Sequence, residues 1–248
     1  MTPTEPREQH RVRRFTTAER MVHRATGTLM LLCATTAAFL YIGPLAQVVG
    51  RRGLMVTVHE WSGILLPIPV LLGLFAPAFR ADLRRLNRFA PYDRRWLRAV
   101  RRGRTGPADR PAGKFNAGQK IYAGWIAGAV LVMLGTGLLM WFVHLLPAIS
   151  RTSAIFVHDV LAWAIVVVLA GHIRLALRDP QARRGMRTGY VDRRWAAREH
   201  PRWLTEDRPP ARRAPLTPAV PTPAERARGI GGTARPARSR RIRPRDRS

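Results

Sequence analysis

The chain has 248 residues, a single cysteine, and 43 Lys plus Arg against 15 Asp plus Glu, for a formal net charge of +28. One cysteine, Cys33, excludes an internal disulfide, a four-cysteine iron–sulfur cluster and a cysteine-based zinc site, so any redox chemistry must run through histidine. The basic excess taken alone would suit a nucleic-acid binder, but four long apolar stretches carry almost none of it, and nucleic acid is not an expected partner.

Residues 1–20 are polar and Arg-rich, with no small-residue cleavage site after a short apolar run, so the first span reads as an uncleaved anchor behind a cytoplasmic N-terminal segment. About twenty apolar residues suffice to cross a bilayer as a helix. Four stretches meet that length, from Met21 to Pro44, Leu54 to Phe79, Gln119 to Leu146 and Ala154 to Leu177. The second carries Pro67 and Pro69 and is expected to kink. The third holds Ala123, Gly124, Ala127, Gly128, Gly135 and Gly137, small residues that let helices approach closely in lipid.

Between the second and third spans, Arg80 to Lys114 holds twelve basic residues against Asp82, Asp93 and Asp109, and the region from Arg178 onward holds twenty arginines. The other two connections hold only Arg51, Arg52 and Arg151. The positive-inside rule therefore puts both termini and the 80–114 loop in the cytoplasm. The fold class that follows is all-α: an integral membrane four-helix bundle over 21–178, N-in and C-in. Residues 179–204 mix Met186, Tyr190, Val191, Trp195 and Trp203 with arginines, as suits a segment against the bilayer surface or a partner subunit. Residues 205–248 are Pro, Ala and Arg with almost no large apolar side chain and read as a disordered basic tail held near anionic lipid. Only Lys114 and Lys120 among the basic residues are lysine; the arginine excess reads mainly as codon usage.

Of seven histidines, His10 and His200 fall outside the spans and His144 closes the third at the outer surface. The other four fall at two depths. His59 and His158 share the outer level, and His23 and His172 the inner one. His158 and His172 are fourteen residues apart on one apolar stretch, which is almost four helical turns and about 21 Å of rise, so both point to nearly the same side. Two histidines at one depth can fill both axial positions of a haem iron, leaving no open site for O₂ and suiting electron transfer. The competing classes are a haem-free membrane anchor and a proton- or metal-coupled transporter built on His59, Glu60, His158 and Asp159. Arg20, Arg24 and Arg174 lie near the inner level, where they either pair with haem propionates or mark the interface.

Five elements resemble the cytochrome b (gamma) subunit of membrane-bound respiratory formate dehydrogenases, a di-haem family related to the cytochromes b of hydrogenases and thiosulfate reductases. They are RFTTAERMVHRATG at 14–27, the histidine of VHEWSG at 58–63, KFNAGQK at 114–120, the His158/His172 pair, and GMRTGYVDRRWAAREHP at 185–201. The resemblance covers residues 14 to about 204. It implies two b-type haems whose iron ligands are His23, His59, His158 and His172, with no catalytic residue on this chain. It implies a multi-pass subunit of the bacterial cytoplasmic (inner) membrane. Its partners would be an iron–sulfur subunit at the outer face, a molybdopterin-type catalytic subunit behind it, and quinone by the inner haem. Asn116, Gly118 and Gln119 occupy the position of the family's quinone pocket, and their amides or a backbone N–H can donate to a quinone carbonyl. Asn116 and Gln119 also read as the cap and first turn of the third helix, a role compatible with the first. A hydrogenase or thiosulfate reductase partner remains an alternative.

Overall fold

The computed structural model describes residues 10–104, 106–142 and 148–206; those up to Glu206 belong to one compact unit, Met1–Asp207. His144 and the segment 207–248 lie outside the described residues.

A short strand, β1 (Arg11–Arg13), leads into α1 (Thr17–Tyr41). A capping box starts that helix: Thr16 accepts from the Glu19 N–H while the Glu19 carboxylate accepts from Thr16 N–H and Oγ1. At Ile42 the chain turns by 101° into α2 (Gly43–Val49), with Pro44 in its first turn, where the ring's fixed φ suits a helix start. The second apolar stretch is α3 (Arg52–Leu65) and α4 (Ile68–Gly73), broken at Leu66–Pro67 where proline removes a backbone donor. It ends at Gly73, six residues before Phe79. Phe79 begins no lipid-crossing turn; it lies in α5 (Pro77–Asn87), whose arginines are followed by those of α6 (Pro91–Arg101). Two long helices complete the bundle, α7 (Ala117–Trp141) and α8 (Ala148–Arg178). After them come α9 (Pro180–Thr188), β2 (Tyr190–Asp192), α10 (Arg193–Glu199) and α11 (Pro201–Glu206). Three segments are long and apolar enough to cross a membrane, Arg52–Gly73, Ala117–Trp141 and Arg151–Arg178; α1 with α2 makes a fourth if that bent pair is one span.

Few residues of these spans are buried inside the protein, as expected of helices solvated by lipid. The buried core between them is Met30, Leu66, Ala129 and Ile165, one from each of the four long segments, with Leu161, Leu169 and Met133 packed against it. Ile165 lies seven residues from both His158 and His172. The apolar core is therefore a waist between the two histidine levels.

A clasp of polar and aromatic groups closes one end. β1 pairs antiparallel with β2, Val12 opposite Val191, so residues near both chain termini meet there. Val191, Trp195, Ala196 and Trp203 form its core, with Val12 and Leu204 against them. Of the apolar positions of 179–204, Val191, Trp195 and Trp203 are covered by the chain itself, while Tyr190 stays exposed. Gly189 makes the closure possible: at φ 89° it is in the left-handed region, a Cβ there would lie 2.6 Å from the Phe15 carbonyl oxygen, and its own carbonyl accepts from Arg14 and Phe15 N–H. Gly185 sits similarly tight, with a Cβ position 3.0 Å from Val191 Cγ1. These contacts explain the GM-x-x-G spacing.

Arg14 is buried in this clasp. Its guanidinium stands 4.9 Å from the Trp195 ring centre and 5.3 Å from that of Phe15, donates to the Lys114 carbonyl at 2.9 Å, and reaches His200 Nε2 at 3.0 Å. His200 Nδ1 donates to the Gly113 carbonyl at 2.8 Å, so Nε2 is the acceptor and the ring is neutral. Burial first, and the Arg14 charge second, bring the His200 pKa from 6.5 down to about 3, while burial lowers Arg14 to about 10.

The two lysines are, with Arg14, buried cations at this end of the molecule. Lys114 Nζ meets Glu19 Oε1 at 3.1 Å and Asp82 Oδ2 at 2.5 Å, which ties α1, α5 and the start of α7 together. Lys120 Nζ meets Asp93 Oδ2 at 2.8 Å and the Arg88 carbonyl at 3.0 Å, fixing α6 to α7. A slim ammonium on a flexible stem can enter such a site where a broad guanidinium fork cannot, so lysine here has a mechanism that codon usage does not supply.

Lys114→Ala leaves Glu19 and Asp82 facing each other without their cation; a loss on the order of 3–5 kcal/mol is expected, read as a lower melting temperature of the detergent-solubilised protein. His200 has a folded pKa below its unfolded one, so its contribution is fully present above pH 6.5 and is lost as pH falls toward 3. His200→Gln should flatten that acid-side fall in thermal stability; an unchanged slope would assign it to other groups.

Candidate functional site

The four spanning-segment histidines come together in the two pairs. His59 on α3 and His158 on α8 have ring centroids 6.2 Å apart with planes at 68°. His23 on α1 and His172 on α8 have centroids 6.3 Å apart with planes at 46°. An imidazole nitrogen sits about 2 Å from a bound transition metal and about 1 Å from its own ring centre, so two rings ligating one ion from opposite sides have centroids about 6 Å apart. Both pairs have that separation. His23 is exposed and the other three are half-buried, so none is a filled core position. A methyl added at Gly27, four residues after His23, or at Gly63, four after His59, would meet nothing within 4 Å. Positions four apart share a helix face, which leaves room beside His23 and His59 for a flat macrocycle. Among the described residues no group of three or more His, Cys, Asp or Glu could hold a bare metal ion. The residues present thus fit two-point axial ligation of haem.

The outer pair is held by hydrogen bonds. His59 Nδ1 lies 3.0 Å from Thr36 Oγ1 and 3.2 Å from the Cys33 carbonyl, and His158 Nδ1 lies 2.9 Å from Thr136 Oγ1. Thr36 is buried on α1, facing α3, and Thr136 is on α7, facing α8. The inner pair is held differently. Tyr122 of α7 stacks on His172, ring centres 4.6 Å apart and planes within 9°. Neither threonine nor Tyr122 stood out in the sequence. The available signal was position: Thr36 lies thirteen residues after His23 on the same helix, which is the outer depth by helix rise.

The KFNAGQK residues form the start of α7. Asn116 Oδ1 accepts from Gln119 N–H at 2.9 Å, and Gln119 Oε1 accepts from Asn116 N–H at 3.0 Å. The capping role is therefore present, and it consumes only the carbonyl halves of both amides, leaving their NH₂ groups as donors. Gln119 and Tyr122 are three apart and share a face, which carries this turn toward His172. Gly118 lies under Trp96 of α6, with a Cβ position 3.3 Å from the indole. Of the three inner arginines, Arg20 donates to the Arg187 carbonyl at 2.6 Å and Arg24 to those of Arg187 and Met186 at 3.2 and 3.4 Å. They satisfy carbonyls at the C-terminal end of α9.

The prokaryotic cytochrome b561 family profile matches residues 14–189. The chain is 28% identical over 202 residues to the Escherichia coli K12 formate dehydrogenase, cytochrome b556(fdo) subunit, covering 79% of this chain and 92% of that one. It is 29% identical over 169 residues to the Haemophilus influenzae formate dehydrogenase, cytochrome b556 subunit, covering 66% of this chain and 68% of that protein. It is 32% identical over 97 residues to the E. coli K12 nitrate-inducible formate dehydrogenase, cytochrome b556(Fdn) subunit, with 38% and 45% covered. The family match and the cytochrome b relatives, together with the apolar helices, make this chain a membrane cytochrome b of electron transfer, a class whose cofactor is haem b. Within that class, this chain belongs to the prokaryotic cytochrome b561 family.

Proposed function

We propose that this chain is the quinone-reducing, di-haem cytochrome b subunit of a membrane-bound formate dehydrogenase. The observation that carries the reading is the pair of facing histidine couples, at 6.2 and 6.3 Å, on one helix that bridges both levels. His59 and His158 are the outer ligands, and His23 and His172 the inner ones. Held between such pairs, b-type haem supplies reversible one-electron chemistry with no open coordination position. The likeness to formate dehydrogenase cytochrome b556 subunits favours formate dehydrogenase over hydrogenase or thiosulfate reductase as the source of electrons. An iron–sulfur subunit with a molybdopterin-type catalytic subunit behind it would then face the outer pair.

Four crossings with both termini and the 80–114 segment on the cytoplasmic face of the inner membrane agree with the arginine distribution. They agree also with the β1–β2 pairing, which needs both ends of the bundle on one side. Quinone is placed at the start of α7, where the free NH₂ groups of Asn116 and Gln119 donate to a carbonyl oxygen and Trp96 over Gly118 walls the space. Protons taken from the cytoplasm at this end, against electrons delivered from the other, make turnover electrogenic at about 2.3 kcal/mol per charge per 100 mV.

His172→Ala should lose the inner haem and quinone reduction while keeping an outer haem in the reduced-minus-oxidised spectrum. Retention of both haems would contradict the ligand assignment. Asn116→Asp and Gln119→Glu keep the capping acceptors and remove the donors. Each should leave haem content and melting temperature near wild type and lower the quinone-reduction rate at least tenfold, about 1.4 kcal/mol of lost interaction.

A further inference from the structure

The two outer histidines are held by the same device from two different helices. Thr36 Oγ1 lies 2.7 Å from the Leu32 carbonyl and Thr136 Oγ1 lies 2.8 Å from the Val132 carbonyl, four residues back in each case. A hydroxyl has one proton, and a carbonyl four residues back can only accept it. With that proton spent along the helix, each threonine oxygen faces its histidine as an acceptor. Nδ1 must then carry the hydrogen. The Cys33 carbonyl, 3.2 Å from His59 Nδ1, requires the same tautomer, since it has no proton to give. Nε2 is left with the lone pair in both rings.

The inner rings differ. Among the described residues no hydrogen bond is made by a ring nitrogen of His23 or His172; His172 has a stacked tyrosine instead. The neighbouring charges differ in the same sense. Glu60 adjoins His59 and Asp159 adjoins His158, whereas Arg24 adjoins His23 and Arg174 lies two residues after His172. An N–H donated from the far side of a ligating imidazole makes that ligand more basic and favours the oxidised, more positive iron. Carboxylates favour it too, and guanidinium groups oppose it.

Resting on the di-haem reading above, we propose that Thr36 and Thr136 are positioning residues: they fix both outer imidazoles as Nδ1–H donors with Nε2 as the ligating atom, and so hold the outer haem at a lower midpoint potential than the inner one. The threonine pair then biases electrons toward the inner level and the quinone.

The test is a redox titration of the haem-loaded protein in its native membrane, following the reduced haem bands. In Thr36→Val and Thr136→Val the outer midpoint should rise, further in the double variant, while the inner one stays at its wild-type value. Thr36→Ser and Thr136→Ser keep the hydroxyl and should restore both the potential and the haem content. His172→Ala, with both threonines intact, gives a second arm that does not depend on the valine variants folding: its remaining haem should titrate at the lower of the two wild-type potentials. An outer midpoint unmoved by valine, serine variants that behave as the valine ones do, or a surviving haem at the higher potential would each overturn the proposal. A wild-type protein that binds no haem overturns the di-haem reading and this inference with it; two haems with unmoved potentials overturn this inference alone.

Discussion

One unbroken helix carrying two histidines sets the geometry of everything else. His158 and His172 lie fourteen residues apart on α8, so helical rise fixes two levels about 20 Å apart and helical turn brings both rings to nearly one side. The other helices need only bring one imidazole each to the right depth, His59 from α3 and His23 from α1. The apolar waist of Met30, Leu66, Ala129 and Ile165 then falls midway between the levels. An apolar waist of this kind has a low dielectric, in which hydrogen bonds and charges beside the ligands act strongly on whatever is bound there.

The clasp end of the bundle meets an opposite demand. The span starts, the arginine-rich α5 and α6, and the returning C-terminal segment must be joined there with charged groups in limited space. Lys114 and Lys120 solve this with slim buried cations, each matched to carboxylates from other elements, and Arg14 lies flat among aromatic rings beside a neutral His200. Buried pairs of this sort add little net stability compared with apolar packing, but they specify one arrangement because either partner alone is costly. That rigidity serves the first turn of α7, where Asn116 and Gln119 are held by each other's carbonyl oxygens with their NH₂ groups left over.

Three of the spans and the approach of the histidines in two pairs were legible in the sequence because both follow from helix geometry and apolar length, which need no knowledge of neighbours. Pro67 marked the break in the second stretch for the same local reason. The bend of 101° between α1 and α2 was not legible, since nothing before Pro44 fixes the direction in which the chain leaves the helix. The clasp was not legible, because Val191 and Trp195 find their cover in Val12 and Arg14, some 180 residues away in the chain. Thr36, Thr136 and Tyr122 were invisible for a related reason: a threonine or tyrosine in a span carries no signal until the facing helix supplies its histidine. The lysine pair was visible as a count, two in forty-three, yet only the buried carboxylates around it give that count a meaning.

The central claim is that facing histidine pairs hold two haems on this one chain. Haem quantified per chain in the purified protein, together with its reduced-minus-oxidised optical spectrum, tests it most directly. Two b-type haems per chain is the predicted result. No haem in protein made by cells that supply it, or a single haem unaffected by loss of either pair, would contradict the account.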